Sequence, residues 1–370
     1  MVSLSKKGLI ASGSYDKTIK IWDTNKGDLK YTFDESNGGH NGPVWNLVPL
    51  KNGYLASGSL DFTIKIWNIN SGSLKYTFDK NKGGHSKAVS SLVALPNESL
   101  ASGSWDSKIK IWDIKNGNLN FTLEDNSSSS YISTGVKSVK SKAPISHLAF
   151  LNNNYLASGY DDSKIKIWDL NSKRLIYIFD KTNGGHSKSI SALVPLSNGL
   201  LASGSYDKTI KIWNTNSGSL KHTFDESNRG HQAHVTALIP VSNECLASGS
   251  DDNTIKIWNV TSGSLKYTIN EEYDNGHTKP ITALTVLPAK NYLISGSDDN
   301  TIKVWDMNTI IVDNHSSRND LFNDVVLKQT LESSGSHHAH NWTISNLITF
   351  SNDYLASGSW DTCVKIWNIN

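Results

Sequence analysis

The stretch LASGSYDKTIKIWN at residues 201–214 recurs eight times, with few changes, along this chain of 370 residues. Each copy ends in a tryptophan followed by Asp or Asn, and successive tryptophans lie 45, 45, 56, 45, 45, 47 and 62 residues apart. A nearly constant period is typical of repeat architectures, in which each unit packs on its neighbours because it cannot bury its own faces. The eight tryptophans are Trp22, Trp67, Trp112, Trp168, Trp213, Trp258, Trp305 and Trp367.

The repeat at residues 40–85 contains four short segments rich in β-branched, aromatic and apolar residues, separated by turn residues such as Gly53 and Gly72. This pattern predicts four β-strands. Four antiparallel strands in about 45 residues are typical of one blade of a β-propeller, and no segment has a helical period. The four segments are PVWNLVPL (43–50), YLASGS (54–59), TIKIWN (63–68) and SLKYTF (73–78).

We therefore predict an all-β fold in a single domain over residues 1–370: an eight-bladed β-propeller of four-stranded antiparallel blades. A seven-bladed ring with an extra terminal repeat is the alternative. The third strand of the eighth repeat lies at the end of the sequence. Either the last blade is three-stranded and the ring closes by packing alone, or the sequence is a piece of a longer polypeptide. Residues 124–142 and 308–324 exceed the repeat length and are predicted to be loop insertions.

Composition argues against several classes of partner. The chain has 36 Lys and Arg against 34 Asp and Glu, a net charge of +2, which does not favour nucleic-acid binding. No apolar run approaches the roughly 18 residues of a membrane span, and the N-terminus lacks a signal-peptide pattern. Two cysteines, Cys245 and Cys363, do not suggest a disulfide framework. We expect a cytoplasmic protein, with the nucleus as the alternative location.

The chain resembles the WD-repeat β-propeller family over essentially its whole length. The resemblance rests on an Asp six residues before each repeat tryptophan, a Ser ten residues before it, and a Gly-His pair ahead of the first strand in most repeats. In that family the His, Ser, Asp and Trp side chains form a hydrogen-bonded tetrad inside each blade. The resemblance implies tetrads of His40, Ser57, Asp61 and Trp67 in the second repeat and of His186, Ser203, Asp207 and Trp213 in the fifth.

These tetrads are expected to stabilise the fold, because a partly buried carboxylate is tolerated only when it is hydrogen-bonded. A Ser-His-Asp hydrolase triad is the alternative, but the set recurs in nearly every repeat whereas an active site is normally single. The fourth repeat lacks the Gly-His pair, so we expect Asp162 to depend on water or a backbone donor. A metal site at His337, His338 and His340 is disfavoured, and we predict no catalytic residue, metal or cofactor.

One position varies inside this recurrent pattern, immediately before the hairpin Asp. The resemblance implies that it lines the top face around the central channel, top being the face with the loops between fourth strand and next first strand. Asp161 occupies it in the fourth repeat, and Trp45, directly after the first-strand Val, matches a second such position. Aromatic anchors with a few charges are typical of protein interfaces. The predicted protein-binding residues are Tyr15, Trp45, Leu60, Trp105, Tyr206, Asp251, Asp298 and Trp360.

The sequence thus favours a non-enzymatic scaffold that binds a protein or peptide on the top face, as a monomer or a subunit of a larger complex. The acidic residues favour a basic peptide. A regulatory or substrate-receiving region of a larger protein, such as a ubiquitin-ligase adaptor, is the alternative. An enzyme that uses the central channel is the third hypothesis, for which the sequence offers no metal-ligand set, phosphate-binding loop or unique nucleophile.

Overall fold

The computed structural model describes residues 1–4, 8–125, 143–308, 325–332 and 340–369. Nearly all regular structure in these ranges is β-strand, arranged as eight antiparallel sheets, the blades of an eight-bladed β-propeller. Blades 1 to 7 each have four strands and blade 8 has three, paired in chain order. The predicted eight-bladed fold with a three-stranded last blade is confirmed, and the seven-bladed alternative is not found.

The first four blades contain sixteen strands, numbered in chain order. They are β1 (Val2–Ser3), β2 (Leu9–Gly13), β3 (Ile19–Asp23), β4 (Asp28–Phe33), β5 (Val44–Pro49), β6 (Tyr54–Ser59), β7 (Ile64–Asn68), β8 (Ser73–Phe78), β9 (Val89–Leu95), β10 (Ser99–Ser104), β11 (Ile109–Asp113), β12 (Asn118–Leu123), β13 (Ile145–Phe150), β14 (Tyr155–Tyr160), β15 (Ile165–Asp169) and β16 (Arg174–Phe179).

The last four blades contain fifteen strands. They are β17 (Ile190–Pro195), β18 (Leu200–Ser205), β19 (Ile210–Asn214), β20 (Ser219–Phe224), β21 (Val235–Pro240), β22 (Cys245–Ser250), β23 (Ile255–Asn259), β24 (Ser264–Ile269), β25 (Ile281–Leu287), β26 (Tyr292–Ser297), β27 (Ile302–Asp306), β28 (Val326–Leu331), β29 (Ile344–Thr349), β30 (Tyr354–Ser359) and β31 (Val364–Asn368).

Helices are short and lie between strands. One α-helical turn, α1 (Glu271–Asp274), follows β24. The 3₁₀ turns are Glu35–Asn37, Lys51–Gly53, Lys80–Lys82, Asn152–Asn154, Lys181–Asn183, Ser197–Gly199, Glu226–Asn228 and Pro288–Lys290. Within the described ranges no helix has the length and apolar character that crossing a membrane requires.

The chain divides into two compact units. The first unit comprises Met1–Ser12, Ile21–Asp28 and Lys181–Asn370, and the second comprises Gly13–Lys20 and Leu29–Asp180. Blades 5 to 8 therefore lie in the first unit and blades 2 to 4 in the second. The single domain expected over residues 1–370 stays a prediction. Of the two predicted insertions, residues 126–142 and 309–324 lie outside the described residues.

The core lies between neighbouring sheets rather than inside any one of them. In the second unit, Phe78 at the end of β8 stacks on Trp112 of the next blade, with ring centroids 4.4 Å apart. In the first unit, Phe224 stacks on Trp258 at the same centroid distance. These aromatic rings are fully buried, because each stacked pair lies between two neighbouring sheets of the same unit. A repeat of modest apolar content can therefore still build a continuous core.

Candidate functional site

The predicted tetrad is present in six blades. In blade 5, Nδ1 of His186 lies 3.0 Å from Oδ2 of Asp207, and Nε2 lies 2.7 Å from the hydroxyl of Ser203. The indole N–H of Trp213 donates to the same hydroxyl at 2.9 Å. Backbone N–H groups of Ser187 and Thr209 donate to the Asp207 carboxylate at 2.8 and 3.0 Å. The equivalent tetrads contain His40, His85, His231, His277 and His340.

Burial fixes the protonation state of the tetrads. Loss of hydration lowers the pKa of His186, so its imidazole is neutral at neutral pH. Burial also opposes the charge on Asp207, but the hydrogen bonds from His186 and Thr209 outweigh it and hold the pKa of this carboxyl well below its usual range. Neither His186 nor Ser203 has exposed surface. A hydrolase-like role is therefore unsupported in this tetrad, because substrate has no access to the hydroxyl.

In blade 4 a phenol takes the place of the imidazole, which was not predicted from the sequence. Tyr160 occupies a position at which the other blades from 2 to 8 have Ser, and its side chain is buried. Its hydroxyl accepts a 3.4 Å hydrogen bond from the hydroxyl of Ser158. The Ser158 hydroxyl in turn accepts a hydrogen bond from the indole N–H of Trp168. Asp162 is exposed and accepts a 3.3 Å hydrogen bond from the backbone N–H of Lys164. Lys164 thus supplies the backbone donor that was expected for Asp162. The signal was visible as YLASGY in place of YLASGS.

The variable position lies in the hairpin between second and third strands, at the end of the sheet where the first strand begins. In blade 3 the backbone N–H of Trp105 donates to the carbonyl of Ala88, just ahead of β9, at 3.0 Å. In blade 5 the backbone N–H of Tyr206 donates to the carbonyl of Ser189 at 3.1 Å. Each variable residue therefore lies beside the entry of its own blade's first strand. This end of each sheet is the top as defined above.

Four aromatic residues at this position are exposed. The exposed fractions of Tyr15, Trp105, Tyr206 and Trp360 are 74%, 40%, 45% and 66%. Asp161 and Asp251 at the same position are exposed as well, whereas Leu60 and Asp298 are half-buried. The turn thus accommodates aromatic, aliphatic and acidic side chains, so the fold does not select its residue type.

In the second unit the structure brings two predicted residues together. The rings of Trp45 and Trp105 have centroids 5.1 Å apart and planes tilted by 54°. Trp45 is half-buried at a β-bulge, since Val44 pairs with Ser59 and Asn46 with Gly58, which leaves Trp45 without a partner residue in β6. Its indole N–H is buried and has no hydrogen-bond acceptor among the described residues.

The bulge position has a structural role in other blades that was not predicted from the sequence. In blade 3 the bulge residue Ser90 donates from its hydroxyl to the carbonyl of Ile145, in the first strand of blade 4, at 2.5 Å. In blade 2 the next residue, Asn46, makes the interblade bond instead, from Nδ2 to the carbonyl of Ser90 at 2.5 Å. Because Asn46 makes this interblade hydrogen bond, the side chain of Trp45 can contact Trp105 instead.

In the first unit, Tyr206 and Asp251 are joined by a residue that was not predicted. His234, directly ahead of β21, packs edge-on against Tyr206 with ring centroids 4.8 Å apart. Its Nδ1 lies 3.2 Å from Oδ2 of Asp251. The available signal was a histidine outside the Gly-His pairs, in HQAHV at residues 231–235.

Blade 8 carries a second exposed tryptophan beside Trp360. Trp342 is 64% exposed, and its carbonyl accepts a 2.9 Å bond from the hydroxyl of Ser359, the neighbour of Trp360. The sequence signal was a tryptophan that does not belong to the repeat pattern. Within the described part of the chain, Tyr15 and Trp360 make no ring contact with another predicted site residue.

Within the described ranges, no three His, Cys, Asp or Glu side chains lie close enough together to hold a metal ion. Of the three histidines considered from sequence, His337 and His338 lie outside the described residues. His340 is engaged in its tetrad, 2.8 Å from Asp361 and 2.7 Å from Ser357.

Comparison with known families agrees with this geometry. The model described as "WD domain, G-beta repeat" matches eight segments, residues 3–23, 27–68, 72–113, 128–169, 175–214, 218–259, 265–306 and 331–368. The chain belongs to the WD40 repeat family. It is also similar to the crystal structure of the computationally designed Ika8 protein, with 30% sequence identity, a TM-score of 0.73, and coverage of 98% of this chain and 94% of that one. Comparison with curated proteins gives no match.

WD40 propellers generally act as scaffolds for protein–protein interaction and are generally not enzymes. In blades 2, 3 and 5 to 7 of this WD40 chain the His, Ser and Trp side chains of the tetrads are buried and hydrogen-bonded, whereas the variable top residues include exposed aromatic rings. The Gly of the Gly-His pair belongs to the recurrent set, because a Cβ at Gly39 would lie 2.5 Å from the carbonyl of Asp34.

Proposed function

We propose that this WD40 propeller is a non-enzymatic scaffold that binds protein segments through the variable residues at the tops of its blades. The observation that carries the proposal is the exposure of Trp105 and Trp360 at a turn where Asp161 and Asp251 are equally compatible with the fold. Exposed tryptophans that folding does not need are typical of interaction sites. The proposed residues are Tyr15, Trp45, Leu60 and Trp105 in the second unit and Tyr206, Asp251, Asp298 and Trp360 in the first.

The tryptophan pair of the second unit suits an extended peptide. Trp105 offers a large exposed ring that packs on Trp45, and rigid aromatic surface is buried at low entropic cost. The indole N–H of Trp45 lacks an acceptor, and a buried unsatisfied donor costs about 1–3 kcal/mol. A peptide carbonyl placed against Trp45 would remove that cost. The pair therefore supports a ligand that combines apolar side chains with backbone acceptors.

Two acidic residues at blade tops of the first unit support a preference for basic ligands. Asp251 is exposed at a blade top, and Asp298 occupies the same position in the next blade. Tyr206 adds an aromatic ring close to Asp251 through His234. A lysine or arginine side chain bound here would gain ion pairing with a carboxylate and a cation–π contact.

The test selects ligands first and then asks which residues bind them. A displayed library of random 12-residue peptides is selected against the wild-type chain, and affinities are measured for Trp105→Ala and Trp360→Ala. We expect one or the other to weaken binding of a given peptide about 30-fold, which corresponds to about 2 kcal/mol. Asp251→Lys and Asp298→Lys should weaken binding of basic peptides and reduce its dependence on salt.

Tyr354→Ala is the matched control. Tyr354 is 41% exposed, close to the value for Trp105, but it begins the second strand of blade 8 and lies at the end of that sheet opposite Trp360. Its replacement should leave the selected peptides bound. Peptides that bind Trp105→Ala and Trp360→Ala as tightly as wild type, or that are lost with Tyr354→Ala, would contradict the assignment of the top residues.

A further inference from the structure

The hairpin of blade 2 carries an exposed aromatic residue that was not among the predicted site residues. Phe62 directly follows the tetrad residue Asp61 and is 45% exposed. Its φ of 73° lies in the left-handed region, where a bulky side chain is uncommon and asparagine is favoured. Asn253 and Asn300 occupy the same position in blades 6 and 7. Because the fold favours asparagine here, an exposed phenylalanine in a disfavoured conformation indicates a role in binding.

Blade 6 shows which part of the molecule the side chain at this position contacts. Nδ2 of Asn253 donates to the carbonyl of Thr278, the residue after the tetrad histidine of blade 7, at 3.1 Å. The residue after the tetrad histidine of blade 3 is Ser86. The same geometry in the second unit places Phe62 beside residues 86–88, where the chain enters the first strand of blade 3.

This strand entry also contacts Trp105. The backbone N–H of Trp105 donates to the carbonyl of Ala88 at 3.0 Å. The ring of Trp105 packs on that of Trp45, which belongs to the first strand of blade 2. Aromatic rings from blades 2 and 3 therefore lie around one strand entry. We call the surface formed by Trp45, Phe62 and Trp105 the aromatic surface of the second unit.

Exposed lysines border the aromatic surface. Lys87 lies in the strand entry itself, and its carbonyl accepts a 3.1 Å hydrogen bond from the hydroxyl of Ser104, the residue before Trp105. Lys80 and Lys82 belong to the 3₁₀ turn on the same loop. All three lysines are exposed, and none of them forms an ion pair with a carboxylate among the described residues. Their ammonium groups therefore remain available to carboxylates of a ligand.

The carboxylates nearest in sequence to these rings and lysines face inward or are already hydrogen-bonded. The side chains of Asp61 and Asp106 are only 11% and 5% exposed, because each bonds to the histidine of its tetrad. Asp79 accepts hydrogen bonds from the backbone N–H groups of Asn81 and Lys82. The exposed charges beside the aromatic surface are therefore those of the lysines.

We propose that the aromatic surface binds an extended segment of another protein in which apolar side chains lie next to aspartate or glutamate. The proposal rests on the binding proposed for the blade tops and specifies its ligand in the second unit. Apolar side chains of the segment would pack on Phe62 and Trp105, and a carboxylate would pair with Lys87. Asp251 and Asp298 of the first unit favour basic segments, so the two units would select ligands of opposite charge.

A membrane surface also attracts aromatic rings and lysines, but two observations favour a polypeptide. Phe62 and Trp105 are only 45% and 40% exposed, so more than half of each residue is covered and neither protrudes as a membrane anchor would. The indole N–H of Trp45 has no acceptor among the described residues, and a peptide backbone offers a carbonyl acceptor at every residue.

The first experiment measures the peptides selected on the wild-type chain against Phe62→Asn. Asparagine is the residue of blades 6 and 7 at this position, so the variant should fold, with a urea midpoint equal to or above that of the wild type. Peptides that Trp105→Ala binds weakly should lose affinity for Phe62→Asn about tenfold or more. Peptides that depend on Trp360 should bind Phe62→Asn and the wild type equally.

The second experiment tests the charge of the ligand. Peptides that depend on Trp105 should be richer in Asp and Glu than the starting library, and Lys87→Glu should weaken their binding about tenfold or more. Replacing one acidic residue of the peptide by lysine should restore part of the affinity for Lys87→Glu. Lys188→Glu is the matched control, because Lys188 is exposed at the same position in blade 5 of the first unit, where its carbonyl accepts from Ser205. It should leave these peptides bound.

The outcomes separate this proposal from the proposed function. Peptides that depend on Trp105 but show no acidic excess, or that bind Phe62→Asn or Lys87→Glu as tightly as the wild type, would overturn this proposal and leave binding at the blade tops intact. If no selected peptide depended on Trp105 or Trp360, the proposed function would fail as well. Sedimentation with phosphatidylserine vesicles that Phe62→Asn abolishes would assign the surface to a membrane, and a dimer that Phe62→Asn dissociates would assign it to a second copy of this chain. Either result would overturn the proposal.

Discussion

Replacing Trp213 by alanine should cost about 3–5 kcal/mol of folding free energy. The side chain has no exposed surface, and its indole N–H donates to Ser203 at 2.9 Å. A buried tryptophan removes about 200 Å² from water, which at about 25 cal/mol per Å² is worth about 5 kcal/mol as an upper value. Loss of the hydrogen bond to Ser203 contributes about 1 kcal/mol, and partial collapse of the cavity recovers some of the total.

The assay is urea denaturation followed by far-ultraviolet circular dichroism, with refolding from urea to establish reversibility. Trp360→Ala is the matched control, because it removes the same side chain from a site where 66% of it is exposed. The free energy of unfolding of Trp360→Ala should stay within about 0.5 kcal/mol of the wild-type value. If Trp213→Ala and Trp360→Ala shifted the midpoint equally, the assignment of the tetrads to stability and of the top residues to binding would be wrong.

Two further predictions concern the tetrads. Burial lowers the pKa of His85, so the unfolded chain binds more protons below its ordinary value of about 6.5. The contribution of His85 and the five equivalent histidines to the free energy of unfolding is complete above about pH 6.5. This contribution is lost as the pH falls through the folded-state pKa. Asp106, whose pKa the His85 bond lowers to about 2 despite burial, adds a loss between about pH 4 and pH 2. Urea midpoints that rise on acidification from pH 7.5 to 5 would contradict this sign. Tyr160→Phe should destabilise the protein by about 1 kcal/mol, because Ser158 loses its phenol partner, and an unchanged midpoint would remove Tyr160 from the tetrad role.

The fold was predictable because the information for each blade is local and is repeated. The spacing of tryptophans gave the blade number, and alternation within TIKIW gave strands with two buried faces. The tetrads of blades 2 and 5 followed from the family resemblance, and blade 8 keeps the imidazole of His340 without the preceding glycine. Blade 4 was harder, because Tyr160 substitutes for His from a different position in the sequence, and only geometry shows that two residue types reach the same serine hydroxyl.

The top residues were harder to interpret for a different reason. Exposure at the variable position was predictable from its sequence variation, but contacts between blades were not. Trp45 and Trp105 are 60 residues apart and meet only because a bulge in β5 redirects one of them. His234 and Trp342 belong to strand entries that carry no recurrent pattern, so no comparison among repeats drew attention to them.

Hairpins from different blades are nearly interchangeable partners. Leu201 pairs with Trp213 in blade 5 and Leu246 with Trp258 in blade 6, and the residues that follow pair in the same register. During refolding, a third strand therefore gains almost the same hydrogen bonds and packing from a foreign second strand as from its own. Sequence separation then decides which pairing forms first, because closing a longer loop costs more entropy. At high protein concentration, strands of neighbouring molecules can pair with a strand of the chain in place of its own partner. We therefore expect refolding at high concentration to populate mispaired kinetic traps.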